Sequence, residues 1–179
     1  MVCNAHSVHV FPDARTLPRN DETMYILLDE PVSSKAEVQA LGIRNGDFVH
    51  IDPECEFTEK GYLKSRFIDD KAAVACAFAM VKYLAENNLK PHYRTLIAFP
   101  YREEIGQGGR YVPEEVEEYI AIDIGLIGPQ HEGDERKVSI CAKDNNGPYD
   151  YELINRLIRC AERAEVDYVL DVFLNYSTD

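Results

Sequence analysis

Three acidic groups in this chain have the residue types and the local setting to do chemistry: Asp69 with Asp70, Glu103 with Glu104, and Asp123. Neighbouring carboxylates repel one another wherever they are partly removed from water, and a divalent cation is the commonest way to make such an arrangement favourable. If one glutamate of the 103–104 pair binds a cation, the other is free to act as a base. It could take a proton from cation-activated water and later hand it to a leaving amine. Gly106, Gly108 and Gly109 would let the following backbone turn closely past such a site. A lone acidic pair on a loop is ordinarily a solvated surface feature, however, and spacing alone leaves both readings open.

The elements that must carry these groups sharpen the choice. Lys71 to Asn88 is alanine-rich, with Val74, Phe78, Val81 and Leu84 or Ala85 on one stripe, which predicts a long helix packed on a flat surface. Tyr93 to Pro100, Tyr119 to Ile124 and Val138 to Ala142 are nearly continuous apolar runs, as expected of strands covered on both faces. Tyr149 to Glu165, with Leu153, Leu157, Ile158 and Ala161 at helical spacing, predicts a second long helix, and Tyr168 to Leu174 a last strand. Alternation of this kind implies an α/β fold, a layered sheet flanked by helices. Functional groups in such sheets collect where strands end and loops begin. Asp69 and Asp70 lie just before the first long helix, Glu103 and Glu104 just after a predicted strand, and Asp123 at the end of another.

Upstream, the pattern is shorter and more punctuated. Met24 to Leu28 suits a buried strand, and the serine-to-glutamate spacing from Ser33 and Ser34 to Glu37 predicts a capping box opening a short helix that stops at Gly42. Phe48 to Ile51, Glu56 to Thr58 and Tyr62 to Phe67 read as strands, with a turn at Lys60 and Gly61. The expected organisation is therefore part of a small β-rich domain over residues 1–60 and an α/β domain over residues 61–179. The abrupt start, and an end directly after a predicted strand, suggest a fragment.

Bulk properties narrow the function classes. A chain of 179 residues with 45% hydrophobic composition can build a core, and its formal charge of −13 with no Lys/Arg cluster argues against nucleic acid as a partner. Five cysteines without a CxxC pair fit a reducing compartment, and those at Cys76 and Cys160, inside predicted helices, read as core. No basic-then-apolar leader is visible, nor any apolar run of about 18 residues, so the expectation is a soluble, cytoplasmic protein away from membranes. Glycoside hydrolysis by a carboxylate pair is a weaker alternative, because adjacent glutamates do not readily flank a sugar bond and the chain has no tryptophan.

Taken together, Ser65 to Val74 (SRFIDDKAAV), Tyr101 to Gly109 (YREEIGQGG) and Ala121 to Gly125 (AIDIG) resemble, in order and approximate spacing, the glutamyl and deblocking aminopeptidases, which include the tetrahedral TET assemblies. Asp144 to Leu153 (DNNGPYDYEL) and Tyr176 to Asp179 (YSTD) are similar to later segments of that family. Ser33 to Pro53 resembles the closing part of its inserted dimerisation domain. The resemblance implies a partial metallopeptidase catalytic domain acting on short peptides with a free N-terminus, with two divalent ions, zinc foremost and cobalt or manganese possible, and homo-oligomer formation.

Position by position, it implies that Asp69 bridges the ions, Asp70 orients the site, Glu103 is the general base, and Glu104 and Asp123 are terminal metal ligands. It further implies a cis peptide bond between Asp69 and Asp70. The family also uses two histidine ligands whose motifs are absent here. His6, His9, His50 and His92 read as surface or hydrogen-bonded residues, and His131, in the loop after Asp123, is the one stand-in. With a ligand lost from each ion, the expectation is little or no activity from this polypeptide, and a non-catalytic remnant serving as an assembly or interaction subunit is the alternative.

Overall fold

The computed structural model describes residues 1–179, and the chain divides into two compact units, Met1–Ile51 and Asp52–Asp179. This division falls ahead of the boundary expected at residue 60. It leaves the hairpin of β3 (Glu56–Phe57) and β4 (Leu63–Lys64) in the second unit.

The first unit is built mainly from turns. Its only ladder pairs β1 (Val2–Cys3) antiparallel with β2 (Met24–Tyr25), so the strand expected over Met24 to Leu28 is held by hydrogen bonds for two residues only. Helix α1 (Lys35–Ala40) starts as its sequence predicts. Ser34 Oγ accepts from the Glu37 amide at 3.3 Å, and Glu37 Oε2 accepts from the Ser34 and Ser33 amides at 3.0 and 2.7 Å. These bonds satisfy amides that have no partner inside the helix. The hydrogen bond from the Ser33 amide, followed by those from the serine hydroxyls, holds the Glu37 carboxyl below its ordinary range. Phe48 to Ile51, expected as a strand, forms none, and Phe48 is 90% exposed.

The second unit is α/β. Its main sheet has the order β6-β5-β7, in which β5 (Val138–Asp144) pairs antiparallel with β6 (Gly147–Pro148) and parallel with β7 (Tyr168–Val172). Helix α3 (Tyr151–Arg163) makes the crossover that parallel neighbours require. Asp150 caps that helix, its carboxylate accepting from the Leu153 amide at 2.7 Å. The hairpin that leads into it is organised by Asp144, which is 3% exposed and accepts from the Asn146 amide at 2.7 Å, the Gly147 amide at 3.2 Å and the Tyr149 hydroxyl at 2.6 Å. Ile140, Val169 and Phe173 are buried around this sheet. The Phe173 ring meets those of His131 and Tyr176 edge-on, with centroids 5.3 Å away in each case.

Helix α2 (Ile68–Glu86) matches the predicted long helix, yet only Ala77 on it is buried and Phe78 and Val81 of its stripe are exposed. The flat surface expected beneath it is incomplete. Phe78 stacks on Phe99 with centroids 5.5 Å apart, but Tyr93 to Pro100 and Tyr119 to Ile124 pair with no neighbouring strand. An apolar run becomes a strand only when another strand completes its ladder, and these two runs lack that partner. Cys76 on α2 and Cys160 on α3 are both exposed, against the expectation that both are core. All five cysteines are free.

Candidate active site

Each acidic group reaches one cleft by a local device that its sequence supplies. Phe67, at the head of α2, adopts a left-handed conformation (φ 61°), uncommon for a residue with a side chain, and Lys71 Nζ lies 5.3 Å from the centre of its ring. The peptide bond from Asp69 to Asp70 is cis, as the resemblance implies, and both residues have non-helical dihedrals. Regular helix therefore begins after them. Asp70 Oδ1 accepts from the Ala73 amide at 3.0 Å in the manner of a cap, while Asp69 lines the cleft.

Glu103 and Glu104 sit in a tight 3₁₀ turn, Glu103–Ile105, entered through Arg102 in the left-handed conformation and left through Gly106, also left-handed. The Arg102 carbonyl accepts from the Gln107 amide at 3.1 Å and the Glu103 carbonyl from the Gly106 amide at 2.8 Å, so the turn closes on itself. At Gly106 (φ 68°) the absence of Cβ removes the steric cost of that conformation. Asp123 belongs to a segment that packs tightly on β5: a Cβ at Gly125 would stand 2.7 Å from the Ser139 Cβ.

The fourth side of the cleft is the end of the chain. The Phe173 amide donates to the Lys143 carbonyl at 2.8 Å and the Asn145 amide to the Tyr176 carbonyl at 2.9 Å, continuing the β5–β7 association as far as Tyr176. Tyr176, Ser177 and Asp179 thus line the same cleft, of ≈ 230 Å³, as Asp69, Glu103, Glu104, Gly106 and Asp123. Asp70 is not among the lining residues. Sequence reasoning did not single out Tyr176 or Asp179 as site residues. Their signal was only a similarity of the YSTD segment, and what brings them here is pairing between segments distant in sequence.

No lysine, arginine or histidine lines the cleft, so five carboxylates face it without a protein countercharge. Burial pushes the Glu103 carboxyl above its ordinary range. A hydrogen bond from the Asp179 amide opposes the shift, and the negative charges of Asp123, Glu104 and Asp179 add to it. Asp70 is raised in the same way, by burial first, against its Ala73 hydrogen bond and with the charges of Asp123 and Asp69. The Tyr176 hydroxyl is buried without a hydrogen-bond partner. Burial and then the nearby Asp123 carboxylate hold its proton on far above the usual phenol range.

This donor set is right in kind for hard or borderline divalent cations: all oxygen, anionic, uncompensated, with an orphaned hydroxyl beside it. As the side chains stand, no three His, Cys, Asp or Glu donors close into a metal-binding cluster. His131 does not supply the gap. It packs edge-on against Phe173 and is absent from the cleft lining, because its loop turns towards the β7 side. His6 packs against Phe11 in the first unit and His92 against Tyr93.

The second unit is thus an α/β unit whose acidic loops converge on one all-oxygen, anionic cleft. The sequence profile of the M42 glutamyl aminopeptidases matches residues 1–179, and the chain belongs to that family. It is 44% identical over 174 residues to the Bacillus subtilis (strain 168) protein named "Putative aminopeptidase YhfE". The match covers 97% of this chain and 50% of that protein, so the chain spans about half the length of the curated relative it matches. Membership in a peptidase family leaves glycoside hydrolysis without support. No helix is long and apolar enough to cross a membrane.

Proposed function

We propose that the natural protein carrying this sequence is a metal-dependent aminopeptidase that removes N-terminal residues from short peptides, and that these 179 residues supply the carboxylate half of its site. The observation that carries this reading is the convergence of Asp69, Glu103, Glu104 and Asp123 on a cleft free of basic side chains, in a chain of the M42 family. Asp69, as the bridging ligand, with Glu104 and Asp123 as terminal ligands, would hold two divalent ions, zinc foremost. Bound there, the ions would supply Lewis acidity to the scissile carbonyl.

The remaining work falls to this chain's own groups. Glu103 accepts the proton of the attacking water and returns it to the departing amine. Its raised proton affinity suits both halves of that exchange. Asp70 orients the first turn of α2, so that Asp69 faces the cleft. Five free cysteines agree with a cytoplasmic setting, and homo-oligomer formation belongs to the same family-based reading.

A second reading, a non-catalytic remnant acting in assembly, is favoured by one observation, the lack of a closed three-donor cluster. Calorimetric titration of the metal-stripped natural protein with zinc separates the two. Two coupled ions, with chelator-sensitive release of anilines from aminoacyl anilides, support the peptidase. One ion or none, without hydrolysis, supports the remnant. The isolated 179-residue chain is expected to hydrolyse at a small fraction of any such rate, and fast turnover by it alone would overturn the assignment of further ligands to other segments.

A further inference from the structure

We infer that Asp179 is a positioning residue for Glu103, acting as a clamp on the loop that carries it. The inference rests on the reading of Glu103 as the base and adds a residue to that site. Three observations tie the two segments together. The Gly108 amide donates to Asp179 Oδ2 at 2.6 Å, and the Asp179 amide donates to Glu103 Oε1 at 3.4 Å. Gly109 lies so close that a Cβ there would stand 2.9 Å from the Asp179 carbonyl carbon. Asp179 is therefore wedged between the Glu103–Ile105 turn and the following Gly108–Arg110 turn, touching both. A Cβ at Gly108 would itself meet Glu103 Cα, Cβ and Cγ at 3.2 Å, so the Gly108 peptide is the backing of the Glu103 side chain.

The chemistry follows from the geometry. An oxygen acceptor held 2.6 Å from the Gly108 amide makes a short hydrogen bond, and it fixes the peptide against which Glu103 leans. The Asp179 amide meanwhile addresses one Glu103 oxygen, leaving the other for the proton in flight. Asp179 forms no ion pair with any lysine or arginine, which is consistent with its carboxylate serving the loop amide. What the clamp requires is an oxygen acceptor in place. Its negative charge is secondary. A cation ligand or an anchor for the substrate's amine would require the charge.

The test uses the natural protein carrying this sequence, with D179N, D179A and G109A. Gly109 is outside the left-handed region, so alanine there strains the chain only through its contact with Asp179. D179A and G109A should each lower kcat by about ten- to a hundredfold with KM little changed, since small misplacement of a catalytic group is costly. D179N, which keeps an acceptor oxygen, should recover most of that loss. Independently of turnover, hydrogen exchange at the Gly108 amide should quicken in D179A and stay near wild type in D179N. A D179N protein as impaired as D179A, or unchanged Gly108 exchange in D179A, would overturn the clamp. If the wild-type protein hydrolyses no peptide, the proposed function fails and the exchange comparison alone decides whether the clamp exists.

Discussion

At the scale of single residues, the chemistry depends on two neighbouring glutamates having different jobs. Glu103 and Glu104 share one turn and one cleft, but only Glu103 is addressed by the Asp179 amide and backed by Gly108. That asymmetry makes a separable prediction. E103Q keeps the shape and removes the base, so kcat of the natural enzyme should fall about 10²- to 10⁴-fold while zinc still binds. E104Q should instead weaken zinc binding first. Calorimetry and turnover measured on the same two variants check this, and the assignment fails if E103Q loses metal while E104Q keeps it. The pair was conspicuous in the sequence. Its division of labour was implied there only by the family resemblance, and the groups that physically set Glu103 apart, Gly108 and Asp179, come from a later turn and from a segment far along the sequence.

At the scale of elements, caps and turns hold more of this chain than long ladders do. The most constrained of them is the Asp144 turn between β5 and β6, where a buried carboxylate collects three donors. Burial works to raise its pKa, but the bond from Tyr149 and the two amide bonds, with Lys143 nearby, outweigh burial and hold it below the ordinary value. A carboxyl with a depressed folded pKa contributes stability that is present above the unfolded value and lost as pH falls through the folded one. D144A should therefore cost about 2–3 kcal/mol near neutral pH. The gap to wild type should narrow as pH drops below about 4. Denaturant unfolding of both proteins at several pH values reads this directly, and a gap that widens on acidification would contradict it. Tyr149, which precedes α3, is the donor that completes this turn.

For the whole molecule, the dominant fact is exposed apolar surface. Leu96, Ile122, Val172 and Leu174 are each at least half exposed, and they lie on runs that read as buried strands. Their sequence pattern calls for covering layers that these 179 residues do not provide, in keeping with the twofold length of the relative. Purified alone, the 179-residue chain should bind the dye ANS strongly and unfold over a broad, weakly cooperative denaturant range. A sharp single transition without dye binding would contradict this account of the exposed runs.

The sequence by itself determined what is local. The capping box of α1, the long α2 and α3 helices, the β5 and β7 strands and the family's acidic motifs follow from short-range hydrogen bonding, apolar periodicity and residue type. Only the tertiary structure decided what depends on partners far along the chain. It left Tyr93 to Pro100 and Tyr119 to Ile124 unpaired, exposed Cys76 and Cys160, turned His131 onto Phe173, and brought Asp179 against Glu103. A strand, a buried thiol or a clamp exists only when a second surface arrives to complete it, and residue spacing carries no record of that arrival.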